Sequence, residues 1–161
     1  MKSADELVAR KGSRETWTPL LERATREVFE LMLGCQLSVP AAAEEPTPEI
    51  TAIVGLAGQL CGLLSVRCDR HAAALMASKM LGVELEQVGA AGSDAIGEVC
   101  NMVAGNFKNK IAGLAEGCLL TPPTVVTGSN YSLHSLADSP SLELSLLFEH
   151  LPIVVCLEIH S

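Results

Sequence analysis

The sequence contains few aromatic residues, with one Trp, one Tyr and three Phe among its 161 residues. Because 48% of the residues are nevertheless hydrophobic, we expect a core of Leu, Val, Ile, Ala and Met. The length fits a single domain over residues 1–161. No run approaches the ~18 consecutive apolar residues of a transmembrane helix. The charged N-terminal segment also lacks the apolar region of a signal peptide. These absences predict a cytoplasmic protein with no membrane partner.

Basic charge and metal-binding motifs are also scarce. The net charge of −8 disfavours nucleic acid as a partner, because nucleic-acid affinity depends largely on Lys and Arg contacts to phosphate. The simplest explanation of the negative net charge is that it keeps the protein soluble. None of the six cysteines forms a C-x-x-C pair or a zinc-finger spacing with histidine. We therefore expect mostly buried free thiols, no required disulfide and no bound catalytic metal.

Periodicity and capping residues predict an alternation of helices and strands. Thr18 followed by Pro19 is typical of a helix start. Asp69 is suited to cap a second helix, and Gly34 and Gly82 are suited to end helices. In chain order, the predicted segments are a loose N-terminal lead (1–16), a helix (18–33), a Pro/Ala/Glu-rich loop (38–49), two paired strands broken near Gly58 (50–68), a helix (70–81), a helix starting at Gly92 or Ser93 (about 93–113), a polar loop (121–129) and a hairpin of strands (142–150 and 152–159) joined at Leu151-Pro152.

This order predicts an α+β fold in which helices pack on a mainly antiparallel sheet. It also favours an internal duplication of a helix followed by two strands. The helical segment EVFELMLG (27–34, the first copy) aligns without gaps with EVCNMVAG (98–105, the second copy), and three of eight positions are identical. Where the second copy has Asn101, the first has Glu30. Chance similarity between two amphipathic helices is the alternative explanation.

The third predicted helix has two distinct faces when its residues are spaced about 100° apart. The apolar face is expected to pack on the core. Its members are Ile96, Val99, Cys100, Val103, Phe107, Ile111 and Leu114. The opposite face is polar and small, with Asp94, Glu98, Asn101, Gly105 and Lys108, flanked by Gly97, Ala104 and Ala112.

Two glycines inside this helix require an explanation, because each costs about 1 kcal/mol relative to Ala. A Glu-x-x-Asn sequence usually lies on a solvated helix face. Solvent, however, does not require small side chains, whereas close approach of another backbone does. Gly97 and Gly105 therefore favour a docking surface that presents Glu98 and Asn101 to a partner.

The stretch DAIGEVCNMVAGNFKNKI (94–111) resembles the signature helix of the CheC/CheX/FliY family of response-regulator phosphatases. That family's helix has Asp or Glu, a small residue followed by Glu-x-x-Asn, and a glycine four residues after the Asn. The matching positions here are Asp94, Gly97, Glu98, Asn101 and Gly105. The resemblance covers about residues 17–160, and the short chain with a single motif is most similar to the CheX form.

The resemblance implies a CheC-like α/β sandwich that hydrolyses the aspartyl phosphate of a CheY-like receiver domain. It implies that Asn101 orients the attacking water and that Glu98 pairs with a lysine of the receiver. Further partner contacts are expected from Asp94, Gly97, Gly105 and Lys108. The receiver would supply Mg²⁺, so this chain would need no cofactor of its own. Glu30 would leave the first copy inactive.

The family resemblance also implies a homodimer formed by pairing or exchange of strands, with residues 142–159 as candidate donors. A non-catalytic receiver-binding or scaffold module is the alternative function. The intact pair of Glu98 and Asn101 favours the phosphatase, since a scaffold need not retain a neutral amide at that position.

Overall fold

The computed structural model describes residues 14–42, 49–111, 113, 116–129, 131–134 and 141–160. Its elements are α1 (Arg14–Leu33), β1 (Ile50–Gly58), β2 (Cys61–Cys68), α2 (Arg70–Leu81), a short 3-10 helix (Leu85–Gln87), α3 (Gly92–Asn109), β3 (Cys118–Leu120), β4 (Thr124–Thr127), β5 (Leu142–Phe148) and β6 (Leu151–His160). Most of the predicted lead at 1–16, and residues 43–48 of the predicted loop, lie outside the described residues.

The strands form one six-stranded sheet with the order β3-β1-β2-β6-β5. Every strand pair in it is antiparallel. β4 pairs with β1 beyond the end of β3, so β3 and β4 together form one edge of the sheet. β5 forms the opposite edge. The predicted α+β fold, with helices on a mainly antiparallel sheet, is confirmed.

The hydrophobic core lies between the three helices and one face of this sheet. Alternate residues of each long strand are buried on that face, as expected for the two-residue repeat of a strand. In β1 these residues are Ile50, Ala52, Val54 and Leu56. α1 contributes Phe29, whose ring lies edge-on to Phe148 of β5 with 5.2 Å between ring centroids. On the other face, the hydroxyl groups of Tyr131 and Thr51 lie 2.6 Å apart.

The second predicted helix is confirmed at both ends. Asp69 caps α2, and its Oδ1 accepts a hydrogen bond from the backbone N of Ala72 at 2.7 Å. Gly82 ends the helix with φ +66°, a left-handed conformation that glycine adopts without strain. The predicted paired strands over residues 50–68 are also confirmed as the β1–β2 hairpin.

The first helix starts earlier than predicted. α1 begins at Arg14, and Pro19 lies inside it rather than at its first position. Trp17 precedes the proline and is buried, as is Leu21 after it. Burial of these side chains extends the helix on the N-terminal side of Pro19, so tertiary packing outweighs the local start signal.

Three predictions about the second half of the chain are wrong. α3 ends at Asn109, short of the predicted end near 113. Residues 121–129 are not all loop, because Thr124–Thr127 forms β4, and the short strand β3 was not predicted. The last hairpin turns at Glu149 and His150, not at Leu151-Pro152. Both turn residues have positive φ, 48° and 67°, as in a two-residue hairpin turn that follows the twist of the strands.

The arrangement of hairpins is compatible with the predicted duplication. The β1–β2 hairpin and the β5–β6 hairpin lie side by side, joined through β2 and β6. The second strand of each hairpin is therefore at the junction and the first strand is farther out. A helix precedes each hairpin in the chain, with β3 and β4 inserted after α3.

The Glu27 carboxylate connects α1 to the end of α3. Its Oε2 accepts hydrogen bonds from Lys110 Nζ at 2.6 Å and from Asn106 Nδ2 at 2.9 Å. Its Oε1 accepts a further bond from Arg23 Nε at 3.1 Å. Donation from Lys110, and then from Asn106, lowers the pKa of Glu27 from 4.5 to about 2. The cluster stabilises the ionised form and with it the packing of α3 on α1.

We predict a pH-dependent loss of stability from this cluster. Because the folded-state pKa of Glu27 is depressed, its contribution is complete above the unfolded-state value and disappears as the pH falls towards 2. Glu27→Gln should therefore lower the urea midpoint at neutral pH, and the difference from wild type should shrink steadily below about pH 5. Glu30→Gln, at an exposed position of the same helix, serves as the control and should change little. A constant difference down to pH 2 would contradict this assignment.

Candidate docking and catalytic site on α3

The apolar face of α3 packs as predicted. Ile96, Val99, Cys100, Val103 and Phe107 have no solvent exposure. Cys100 lies against the sheet, with its Sγ 3.5 Å from the carbonyl oxygens of Ala52 and Leu64 on neighbouring strands. Ile111 is buried just beyond the helix end, whereas Leu114 and the predicted flanking residue Ala112 lie outside the described residues. This packing fixes which side of α3 faces away from the core.

The residues singled out for chemistry lie on the side of α3 away from this face. Asp94 and Glu98 are exposed, and Asn101 is half-buried one turn beyond Glu98. Within the described part of the chain, the side chains of Glu98 and Asn101 form no hydrogen bond or ion pair. Residues three positions apart on a helix lie on the same side, with Cβ atoms about 5–6 Å apart. A carboxylate and a neutral amide are thus available side by side for a partner.

Gly97 does not lie on the exposed side, which corrects its predicted role as a partner contact. It is buried beneath the β4 edge of the sheet. A Cβ at this position would lie 3.4 Å from Val125 Cγ2 and 3.6 Å from Pro123. Its small size therefore allows α3 to approach β4 within this chain. Ala104, predicted to flank the polar face, is likewise buried.

Gly105 is more open than Gly97. Its nearest neighbour for an added Cβ is Leu120 Cδ1 of β3, at 3.8 Å, and the residue is half-buried. Packing inside this chain therefore does not require glycine here, so its predicted role as a partner contact stays a prediction.

Lys108 has a structural contact in this chain. It is half-buried, and its Nζ donates a hydrogen bond to the carbonyl oxygen of Cys118 at 2.7 Å. This bond holds the start of β3 against the last turns of α3. The predicted contact between Lys108 and a partner would have to be made in addition to this bond.

The strands β3 and β4 run beside the site, and the sequence analysis did not predict them. Leu120 of β3 faces Gly105, and Pro123 and Val125 face Gly97. The four consecutive β-branched residues of TVVT were the available signal for β4, but the preceding prolines indicated a loop. Asn101 lies between these two contacts on α3.

The first copy of the duplicated segment has different contacts. Glu27, which aligns with Glu98, is held by Lys110, Asn106 and Arg23. Gly34, which aligns with Gly105, lies outside its helix with φ +62°. Gly34 donates its N–H to the carbonyl of Glu30 at 3.1 Å, and Cys35 donates to Phe29 at 3.1 Å, which is the bonding pattern of a helix C-cap. This copy serves the fold and presents no amide at the position of Asn101.

The thiols offer no activated nucleophile near α3. All six cysteines are free, and Cys61 is exposed while the others are buried. Burial raises the pKa of the Cys100 thiol to about 12 and that of Cys68 still further. No cluster of metal-ligating side chains occurs in the described ranges. No helix in those ranges is long and apolar enough to span a membrane.

A family model described as "Chemotaxis phosphatase CheX" matches residues 50–147 of this chain, which includes α3. The chain therefore belongs to the CheX family. A protein from Thermotoga maritima named "CheY-P phosphatase CheX" is 31% identical over 101 residues. That alignment spans 62% of this chain and 65% of the relative's length.

Solved structures share the fold. A chemotaxis protein CheX from Vibrio vulnificus has a TM-score of 0.76 at 18% identity, covering 93% of this chain and 100% of that chain. A CheX from Borrelia burgdorferi, crystallised as a complex with CheY, BeF3 and Mg²⁺, has a TM-score of 0.73 at 24% identity. That match covers 90% of this chain and 98% of the other. At these identities the likeness establishes the fold.

We predict opposite effects from enlarging the two glycines of α3. Gly105→Ala should raise the free energy of unfolding by up to ~1 kcal/mol, because alanine is the better helix former and the site has room. Gly97→Leu should lower it by about 1–3 kcal/mol, because the side chain would displace β4. Urea denaturation of the two variants beside wild type measures both changes. Equal changes in the free energy of unfolding would contradict the difference in space around Gly97 and Gly105.

Proposed function

We propose that this chain is a phosphatase that hydrolyses the aspartyl phosphate of a CheY-like receiver domain. The observation that carries the proposal is the pair of Glu98 and Asn101 on the open side of α3, whose side chains have no partner in the part of the chain that the structure describes. Membership of the CheX family supports it, as do the name of the Thermotoga relative and the CheX–CheY complex from Borrelia.

Asn101 is proposed to orient the attacking water. Catalysis of phosphoryl transfer rests mainly on positioning and electrostatic stabilisation. A side-chain amide can accept a hydrogen bond from a water and hold it in line with the bond that breaks. Because the amide is neutral, it approaches an anionic phosphoryl group without the repulsion that a carboxylate would meet. Ordering one water is worth on the order of 10²-fold in rate, or ~2.7 kcal/mol.

Glu98 is proposed to pair with the receiver's active-site lysine. Its carboxylate is exposed and has no partner among the described residues. A charge-assisted contact one turn from Asn101 would fix the register of docking, so that the amide enters the receiver's site at the correct depth. Asp94, exposed near the start of the same helix, is proposed as a further partner contact.

The receiver is proposed to supply the Mg²⁺ and the phosphoryl group, and this chain no cofactor. After docking, this chain needs only to order the attacking water. A site made of one amide and one carboxylate fits that role. A cytoplasmic location is part of this proposal, because receiver domains of this kind act there.

A non-catalytic receiver-binding or scaffold module is the second candidate. Burial of Gly97 beneath β4 removes part of the reason for assigning small residues to docking. The neutral amide of Asn101 still favours catalysis, since binding alone would not require a neutral side chain at this position.

We predict that Asn101→Ala lowers the dephosphorylation rate by about 10²-fold or more while leaving the fold intact. Glu98→Ala should lower the rate and weaken docking, because a charge-assisted contact is lost. Gly105→Leu should weaken docking by steric obstruction. Initial rates with an acyl-phosphate-charged receiver measure these effects, and circular dichroism checks the fold.

Glu30→Ala is the matched control for these variants, since it changes the equivalent position of the first copy. It should keep the wild-type rate. Damage equal to that of Asn101→Ala would show that the wrong helix had been assigned. An Asn101→Ala variant with the wild-type rate would reject the catalytic role of Asn101 and favour the non-catalytic receiver-binding or scaffold module.

A homodimer is also proposed, with the outer edge of β5 as its contact. β5 is an edge strand, and a single bridge between Ser38 and Leu147 covers part of its outer side among the described residues. Unpaired edges readily add a strand from another chain. β6 is paired on both sides, so it is not an available edge. Glu98 and Asn101 lie beside the opposite edge, which leaves them accessible in such a dimer.

We predict a dimer in sedimentation velocity at micromolar concentration. Pairing of two β5 edges would extend the sheet across the subunits by the usual antiparallel hydrogen bonds. Dilution that yields monomer with a defined dissociation constant fits this account. A chain that stays monomeric throughout the micromolar range would refute it.

A further inference from the structure

The edge formed by β3 and β4 contains a one-residue bulge. Leu120 pairs with Leu56 and Thr124 pairs with Ile53. Two residues of β1, Val54 and Gly55, therefore stand opposite three residues, Thr121–Pro123. Such bulges interrupt a ladder of hydrogen bonds, bend the strand and occur often at sheet edges and next to active sites.

The bulge is held by two specific bonds. The backbone N of Thr121 donates to the carbonyl of Gly55 at 2.9 Å, and the backbone N of Gly55 donates to Thr121 Oγ1 at 2.8 Å. Glycine is needed opposite the bulge, because a Cβ on Gly55 would lie 2.9 Å from Thr121 Cγ2. The threonine hydroxyl thus replaces a backbone acceptor that the bulge has displaced.

The bulge lies level with Asn101. Pro123 is 3.6 Å from a Cβ placed on Gly97, and Leu120 is 3.8 Å from one placed on Gly105. Asn101 is four residues from each glycine and so lies about 6 Å along the helix from either. The strand residues between Leu120 and Pro123 therefore run beside the turn of α3 that carries the amide.

The exposed part of the bulge offers shape rather than hydrogen bonding. Thr121 and Pro122 are exposed, and Pro123 is half-buried. The two prolines have no backbone N–H, so they cannot donate to an added strand. The segment therefore resists edge pairing and leaves a firm, largely apolar surface beside Asn101.

We infer that the receiver-docking site has two walls, α3 and the Thr121–Pro123 bulge, and that the bulge helps to select the receiver. This inference rests on the proposed function. A receiver loop that reaches Asn101 over α3 must pass the bulge, and the apolar surface of the bulge selects a loop of matching shape with an apolar side chain. Thr121 is a positioning residue, because it shapes the wall through Gly55.

The test compares Pro122→Trp with Thr124→Trp. Thr124 is exposed and two residues away, but it pairs with Ile53 and so faces the other side of the sheet. Pro122→Trp should raise KM for a phosphorylated receiver by about tenfold or more and leave kcat nearly unchanged, while Thr124→Trp should change neither. Wild-type KM in Pro122→Trp would overturn the inference.

Variants of Thr121 test the positioning role. Thr121→Val removes the side-chain acceptor for the N–H of Gly55 and should raise KM. Thr121→Ser keeps the hydroxyl group and should have the wild-type KM. Thermal melting of each variant separates a loosened bulge from a failure to fold. If Thr121→Val and Thr121→Ser keep the same KM, the bond to Gly55 does not position the wall.

The inference and the proposed function can fail separately. Loss of kcat in Asn101→Ala together with an unchanged KM in Pro122→Trp would reject the wall and keep the phosphatase. If the protein has no phosphatase activity, KM cannot be measured, and binding of the receiver is measured directly by fluorescence anisotropy. An inactive wild type whose receiver binding is weakened by Pro122→Trp would reject the phosphatase and support the wall.

Discussion

The packing of α3 on the sheet determines where the candidate site lies and which way it faces. Its fully buried face rests on β1 and β2, where Cys100 contacts the carbonyl oxygens of both strands. Gly97 lets the helix come close to β4, and Lys108 ties its end to β3. The Glu27 cluster secures the same end against α1. With three sides held in this way, the side that carries Glu98 and Asn101 is set in a fixed orientation.

The two aligned segments, residues 27–34 and 98–105, have different roles in the structure. In the first copy the glutamate accepts hydrogen bonds from Lys110, Asn106 and Arg23, and the glycine ends the helix. In the second copy the glutamate has no hydrogen-bond or ion-pair partner among the described residues, and the glycine lies inside the helix. Similar sequences thus give a structural element in one place and a candidate site in the other, and the difference comes from their neighbours.

Much of the fold was predictable because its signals are local. Asp69 and Gly82 mark the ends of α2, and the apolar period of α3 shows which face is buried. The role of Gly97 could not be predicted, because a helix seen alone does not reveal that a strand lies along its flank. β4 was missed for a related reason, since the prolines of the bulge look like a loop until the pairing with β1 is known. The residues of the candidate site could be selected from the sequence, but the strands β3 and β4 beside them could not.

We propose that a neutral amide on α3 orders the attacking water. Asn101→Asp tests it most directly, because the two side chains have nearly the same size and differ in charge. Single-turnover dephosphorylation of a charged receiver, at saturating concentrations of wild type and variant, separates this step from docking. The aspartate variant should be slower by about 10²-fold or more, since its charge repels the phosphoryl group. A rate close to that of wild type would contradict it.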